Sequence, residues 1–85
     1  MTIETKIKSM LVNCGLFEDM AEKVLQAVKD DPVNDVMRGR WHDDESAYPS
    51  TIMALTWFSA RQHAVKIIDR DCPKHWAREV FAERA

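Results

Sequence analysis

The sequence predicts an all-α fold: a compact single-domain bundle of four main helices plus one short helix. Three observations predict it. Apolar residues recur at three- and four-residue spacing along most of the chain, the period that gathers one face of a helix. Two Gly and three Pro leave little material for β-turns. The breakers that do occur fall between the periodic segments, at Gly15, Asp31-Pro32, Gly39, Pro49-Ser50 and Cys72-Pro73. With 85 residues there is room for one core. A chain of that size buries only about 60–65% of its unfolded surface, so dimerisation would add stability.

The elements follow in order. Thr2 is placed to cap a first helix, with Ile3, Ile7, Met10 and Leu11 on one face and Gly15 as its stop. Phe17, Met20, Ala21, Val24, Leu25 and Val28 define a second amphipathic helix. Its acids Glu18, Asp19 and Glu22 come early and Lys29 late, the order that complements the helix dipole. Asp31-Pro32 reads as a cap followed by proline at the first helical position. The short third helix that follows uses Val33, Val36 and Met37 and ends near Gly39. Residues 39–49 form the one long irregular segment.

Ser50 is expected to cap a fourth helix over about Thr51 to Arg70. Its first half (Ile52, Met53, Leu55, Trp57, Phe58, Ala60) is apolar nearly all round and should be covered on several sides. Its second half narrows to Ala64, Val65, Ile67 and Ile68. Cys72-Pro73 restarts the chain as a fifth helix, with Trp76, Ala77, Val80 and Phe81 in one stripe. The stretch Trp41–Phe81 holds three Trp, one Tyr and two Phe, which places much of the core there.

Charge and composition exclude several classes. The formal net charge is −2, with −4 in residues 1–45 (six Lys/Arg, ten Asp/Glu) and +2 in residues 46–85 (six against four). Neither excess implies a nucleic-acid or anionic-membrane partner. No run approaches the ~18 apolar residues of a membrane span, and no signal peptide is visible, so the expected address is the cytoplasm. There Cys14 and Cys72 are expected as small buried hydrophobes rather than a disulfide.

Each motif that could carry chemistry also has a plainer reading. A helix-turn-helix across Gly15 would offer Glu18, Asp19 and Glu22 to DNA phosphates, so an ordinary helical hairpin is the better account. Cys72-x-x-His75 has metal-ligand spacing, and His42 stands beside Asp43, Asp44 and Glu45, but structural zinc requires four ligands in paired motifs. Ser59 and His63 share a helix face without the orienting acid and oxyanion donors that a triad requires. No glycine-rich phosphate loop is present. The expectation is no enzyme, no metal and no cofactor. Arg61 stands out, since helical geometry sets it between Trp57 and Val65 on an apolar flank. It is expected to stack on an aromatic or pair with a carboxylate of the 43–45 loop, or to border a partner surface.

Gly39-Arg40-Trp41, an acid pair, Tyr48-Pro49, Trp57, Ala64, Ile68-Asp69, Cys72-Pro73-Lys74, Trp76 and Phe81 together resemble a family. The chain is similar, over about residues 10–82, to short helical accessory proteins of unassigned activity encoded by bacteriophages and prophages of Gram-negative bacteria. The resemblance carries no catalytic residues. It implies a role: binding one host protein to block or redirect it, with defence complexes such as CRISPR effectors among the targets.

The leading expectation is therefore a protein-binding module with a host protein as partner. Its candidate surface is the loop residues Arg40, His42, Asp43, Asp44, Glu45 and Tyr48 together with Arg61, because long loops on rigid scaffolds often carry function. Trp41 is expected to tuck inward and lash that loop down. A second reading is a nucleic-acid-associated regulator using a basic edge of Lys66, Arg70, Lys74 and Arg78, although Asp69, Asp71 and Glu79 interleave with it. A third is a homodimer that buries parts of Trp57/Phe58 or Trp76/Phe81 across a two-fold axis.

Overall fold

The first turn of the first helix is held from two directions. Thr2 Oγ1 accepts the Thr5 N–H at 3.2 Å, the cap expected of it. The N–H groups of Ile3 and Glu4 donate to the carbonyls of Asp43 (2.9 Å) and Trp41 (3.0 Å), so a distant loop satisfies two more of the donors that every helix start leaves open. This helix, α1, spans Ile3–Asn13, and it is followed by α2 (Glu18–Asp30), α3 (Ser50–Asp71) and α4 (Arg78–Ala82). Two 3₁₀ turns, Pro32–Met37 and Glu45–Ala47, lie between α2 and α3. The computed structural model describes residues 1–82, and among them the fold is all-α, with 73% of the chain helical and no strand.

α1 ends in a Schellman motif. The Gly15 N–H donates to Val12 O (2.9 Å) and the Leu16 N–H reaches back to Leu11 O (3.3 Å). Leu11 and Leu16 are both buried, the apolar contact that usually accompanies this motif. Gly15 sits at φ +118°, and a Cβ there would lie 2.4 Å from Cζ2 of Trp76. Glycine is required twice over, by the backbone and by the indole lying on it.

The core lies between α1, α2 and α3. Ile3, Ile7 and Leu11 meet Ala21, Val24, Leu25 and Val28, while α3 contributes Ala60, Ala64, Ile67 and Ile68. α3 packs mainly on α2 and α4. Its fully buried Ala60 and Ala64 let the backbones approach closely. Phe81 of α4 closes one end at a tilted ring contact with Trp57, centroids 6.4 Å apart. Trp41 is buried, as expected of the residue that pins the loop.

Several sequence expectations are corrected. The third helix is a 3₁₀ turn, whose period of three turns Asn34 and Met37 inward and leaves Val33 and Val36 exposed. Phe17 is the exposed N-cap position of α2, and Leu16 takes the buried place. Ser50 is the first residue of α3 rather than its cap. The first half of α3 is open on its outer side, with Leu55 69% and Phe58 43% exposed. Cys14 is half-buried and Cys72 exposed, both as free thiols.

The helix expected at Cys72-Pro73 begins only at Arg78. Cys72, held out of the helical region as a pre-proline residue, ends α3, and His75 Nδ1 accepts the Ala77 N–H at 3.0 Å. That side-chain bond substitutes for the first helical turn and swings Trp76 outward onto Gly15, leaving it 68% exposed.

Candidate interaction site

The loop that carries six of the candidate partner residues is built largely from bonds to itself and to α1. Asp44 caps the Glu45–Ala47 turn by accepting the Ser46 N–H and hydroxyl, and it also receives the Met1 ammonium at 2.9 Å. These donors, the Ser46 hydroxyl foremost, hold its carboxyl well below the usual range. Tyr48 Oη donates to Asp43 Oδ2 at 2.8 Å and accepts from Arg40 Nη1 at 3.5 Å. His42 Nδ1 lies 3.3 Å from Glu4 Oε1, and Glu4 is in turn bonded to the Lys29 ammonium, which lowers its pKa. The acids expected to face a partner thus help to fix the start of α1.

Glu45 departs from this pattern. Its Oε2 is shielded from solvent and has no hydrogen-bond partner among the described residues; the Lys6 ammonium stands 4.0 Å away. This carboxylate lies on the rim of a groove of about 450 Å³ between α1, the loop and the first half of α3. Met10, Met53, Ala54 and Trp57 make its apolar wall, and Lys6, Glu45 and Tyr48 its polar edge. The volume falls in the range of sites that accept a side chain or small ligand, about 300–1,000 Å³. Met and Trp are side chains of adaptable or anchoring recognition surfaces. Two of the candidate partner residues, Glu45 and Tyr48, therefore border one site, while Met10, Met53 and Trp57 read in the sequence as core.

Arg61 belongs elsewhere. Its Nη2 donates to the carbonyls of Val80 (3.4 Å) and Phe81 (3.3 Å), so this guanidinium braces α4 instead of the 43–45 loop. A cation at the carbonyl end of a short helix complements its dipole.

The basic edge is largely matched by its own acids. Arg78 grips Asp69 through Nε (2.6 Å) and Nη2 (3.3 Å), and Arg70 and Lys23 converge on Asp71 at 2.8 and 3.2 Å. Asp71 is drawn down to about 2 by those two cations, Arg70 first. Lys66 lines an open hollow between α2 and α3 with Lys23, Asp30, His63 and Arg70, and Lys74 is exposed. A surface in which carboxylates alternate with cations offers phosphate little net attraction.

The remaining chemical candidates are also occupied. Ser59 is buried and its Oγ accepts from Asn34 Nδ2 at 3.0 Å, while His63 Nε2 is 2.7 Å from Asp31 Oδ2. Asp31 also accepts the Val33 N–H, the main reason its pKa is lowered, with His63 second. Among the described residues no group of three or more His, Cys, Asp or Glu is arranged to hold a metal, and no helix is long and apolar enough to cross a membrane.

Comparison with known proteins adds no relative: no family, no curated protein and no solved structure matches this chain.

Proposed function

We propose that this protein is a non-enzymatic binding module that docks a partner protein into the groove between α1, the Glu45–Ala47 turn and α3. The observation that carries the reading is the Met10/Met53/Trp57 wall standing open beside the polar edge of Lys6, Glu45 and Tyr48. A partner that seats an apolar side chain on that wall gains burial, with Lys6 and Tyr48 at the edge of the groove to meet its polar groups. The resemblance to phage and prophage accessory proteins supplies the class of partner, a host protein in the bacterial cytoplasm, with defence complexes such as CRISPR effectors the first to test. Because the polar groups of the loop are engaged in holding α1, the apolar wall is the natural anchor.

An affinity pull-down from bacterial lysate, with and without nuclease, tests this. Four baits are compared: the wild-type chain, Met53→Glu, Ala54→Arg, and Val33→Glu as an exposed control outside the groove. The expected result is one protein captured stoichiometrically by wild type and Val33→Glu in both samples, and lost with Met53→Glu and Ala54→Arg. Capture that survives both groove substitutions, or that vanishes with nuclease, overturns the reading.

A further inference from the structure

His75 closes the loop between α3 and α4 through a single acceptor. Its Nδ1 takes the Ala77 N–H at 3.0 Å, a side chain accepting from the amide two residues on, as Asn and Asp do in an Asx turn. An acceptor nitrogen carries no proton, so the ring is neutral with its proton on Nε2. The same ring stacks on the Trp76 indole, with centroids 6.0 Å and planes 22° apart, and that indole covers Gly15. Tautomer, loop and aromatic contact are thus one arrangement.

We propose that protonation of His75 releases this arrangement, so that mild acid frees Trp76 from the α1–α2 turn. A proton from solvent bonded to Nδ1 turns that nitrogen from acceptor into donor, and the Ala77 N–H then loses its side-chain partner. Histidine is the side chain that makes this change between about pH 5 and 8. The ring is half-buried in a loop where Cys72, Pro73, Lys74 and Trp76 are exposed, so solvent protons reach it. The bond therefore stabilises the loop at higher pH and is lost as pH falls.

The surrounding charges do not hold a protonated ring in place. Asp69 is gripped by Arg78, which also meets Glu79, and Asp71 at the end of α3 receives Arg70 and Lys23 of α2. Lys74, beside His75 in the chain, has the same sign as a protonated ring. On the side of the α1–α2 turn the chain offers Cys14, Glu18 and Asp19. Among the described residues no carboxylate, from that turn or from any other element, pairs with His75. The other two histidines differ. His63 already has Asp31 at 2.7 Å and His42 has Glu4 at 3.3 Å, so a proton on either adds an attraction instead of removing a bond. Loosening by acid is therefore specific to His75, and it does not depend on the groove having a partner.

A titration of the whole wild-type chain by NMR, from about pH 8 to about pH 5, tests this. The Trp76 indole and Gly15 amide signals should shift with the same midpoint as the His75 ring, because a departing indole takes its ring current away from Gly15. His75→Asn is the informative variant: Asn makes the same turn with an oxygen that does not titrate, so it keeps the bond at every pH. Across that range the wild-type melting temperature should fall by about 4 °C relative to His75→Asn, the loss of one hydrogen bond in a domain of this size. Three results would each overturn the proposal: a His75 ring that titrates while Gly15 stays unmoved, a ring still neutral at about pH 5, or a His75→Asn protein with the wild-type pH dependence.

Discussion

Gly15→Ala tests how the first turn of the bundle is closed. Two costs are built into the position. At φ +118° an L-residue is strained by about 1–3 kcal/mol. The new Cβ would also fall 2.4 Å from Cζ2 and 2.5 Å from Cη2 of Trp76, well inside van der Waals contact, so the indole must leave. Trp76 is 68% exposed, so about a third of its surface is covered there. That third corresponds to about 80 Å² and at most about 2 kcal/mol of apolar burial. Together the loss is about 3 kcal/mol, or at least ~10 °C in melting temperature for a domain of this size. The assay is thermal unfolding by circular dichroism of wild type, Gly15→Ala, Trp76→Ala and the double variant. If clash and strain both act, Gly15→Ala is less damaging once Trp76 is gone, but still damaging. A Gly15→Ala protein that melts with wild type would refute the argument, and strict additivity in the cycle would remove the clash from it.

Asn34→Leu should cost about 1–3 kcal/mol, because Asn34 Nδ2 donates to both Val28 O and Ser59 Oγ at 3.0 Å and its loss strands buried acceptors. Ser59→Ala removes one of those acceptors instead and should cost less; urea titration of both gives the order. Arg61→Ala should speed amide exchange in α4, whose Val80 and Phe81 carbonyls it holds, while leaving residues 40–48 unchanged. Faster exchange in the loop alone would contradict that assignment. Acid should destabilise the fold through carboxyls whose folded pKa lies below the unfolded value. Their contribution is complete above the unfolded value and lost as pH falls through the folded one; for Asp71 the window runs from 3.8 to about 2. Asp71→Asn should therefore show a shallower fall in melting temperature across that window, and an unchanged slope would disprove it.

The three long helices were legible because period and punctuation agreed. Ile3, Ile7 and Leu11, then Ala21, Val24, Leu25 and Val28, are buried where a 3.6-residue period puts them, with Gly15 between as the stop. The Val33–Met37 segment misled because its three apolar residues fit a helical period, whereas a proline-led 3₁₀ turn buries every third residue and selected Asn34 with Met37. Trp76 misled for a related reason. One His75 side-chain bond to the Ala77 N–H outweighed the stripe it would have joined. The loop was legible as a long segment pinned by Trp41, but its bonds to α1 were not. They run from Ile3 and Glu4 amides to backbone carbonyls, which carry no residue signature. The groove shows the limit most plainly: Met10, Met53 and Trp57 have the same sequence pattern whether they are covered or half-open, and only the placement of the Glu45–Ala47 turn decides which.

Where the charges went determines what kind of recognition remains. Asp43 and Asp44 are tied to Tyr48, Ser46 and the chain's own ammonium, and Arg70 and Arg78 to Asp71 and Asp69. A partner that recruited those groups would have to break bonds that hold α1 or the end of α3, and exposed pairs of this sort return little energy when re-formed across an interface. The apolar surfaces carry no such debt, since Leu55 and Phe58 are already exposed to water and Met53 and Trp57 are only half-covered. Burying them releases about 25 cal/mol per Å² without dismantling anything in the monomer. Association through the groove should accordingly persist as salt rises, whereas a phosphate-bound complex would lose orders of magnitude over the same range. Steep salt dependence of that association would return the basic edge to consideration and displace the apolar groove.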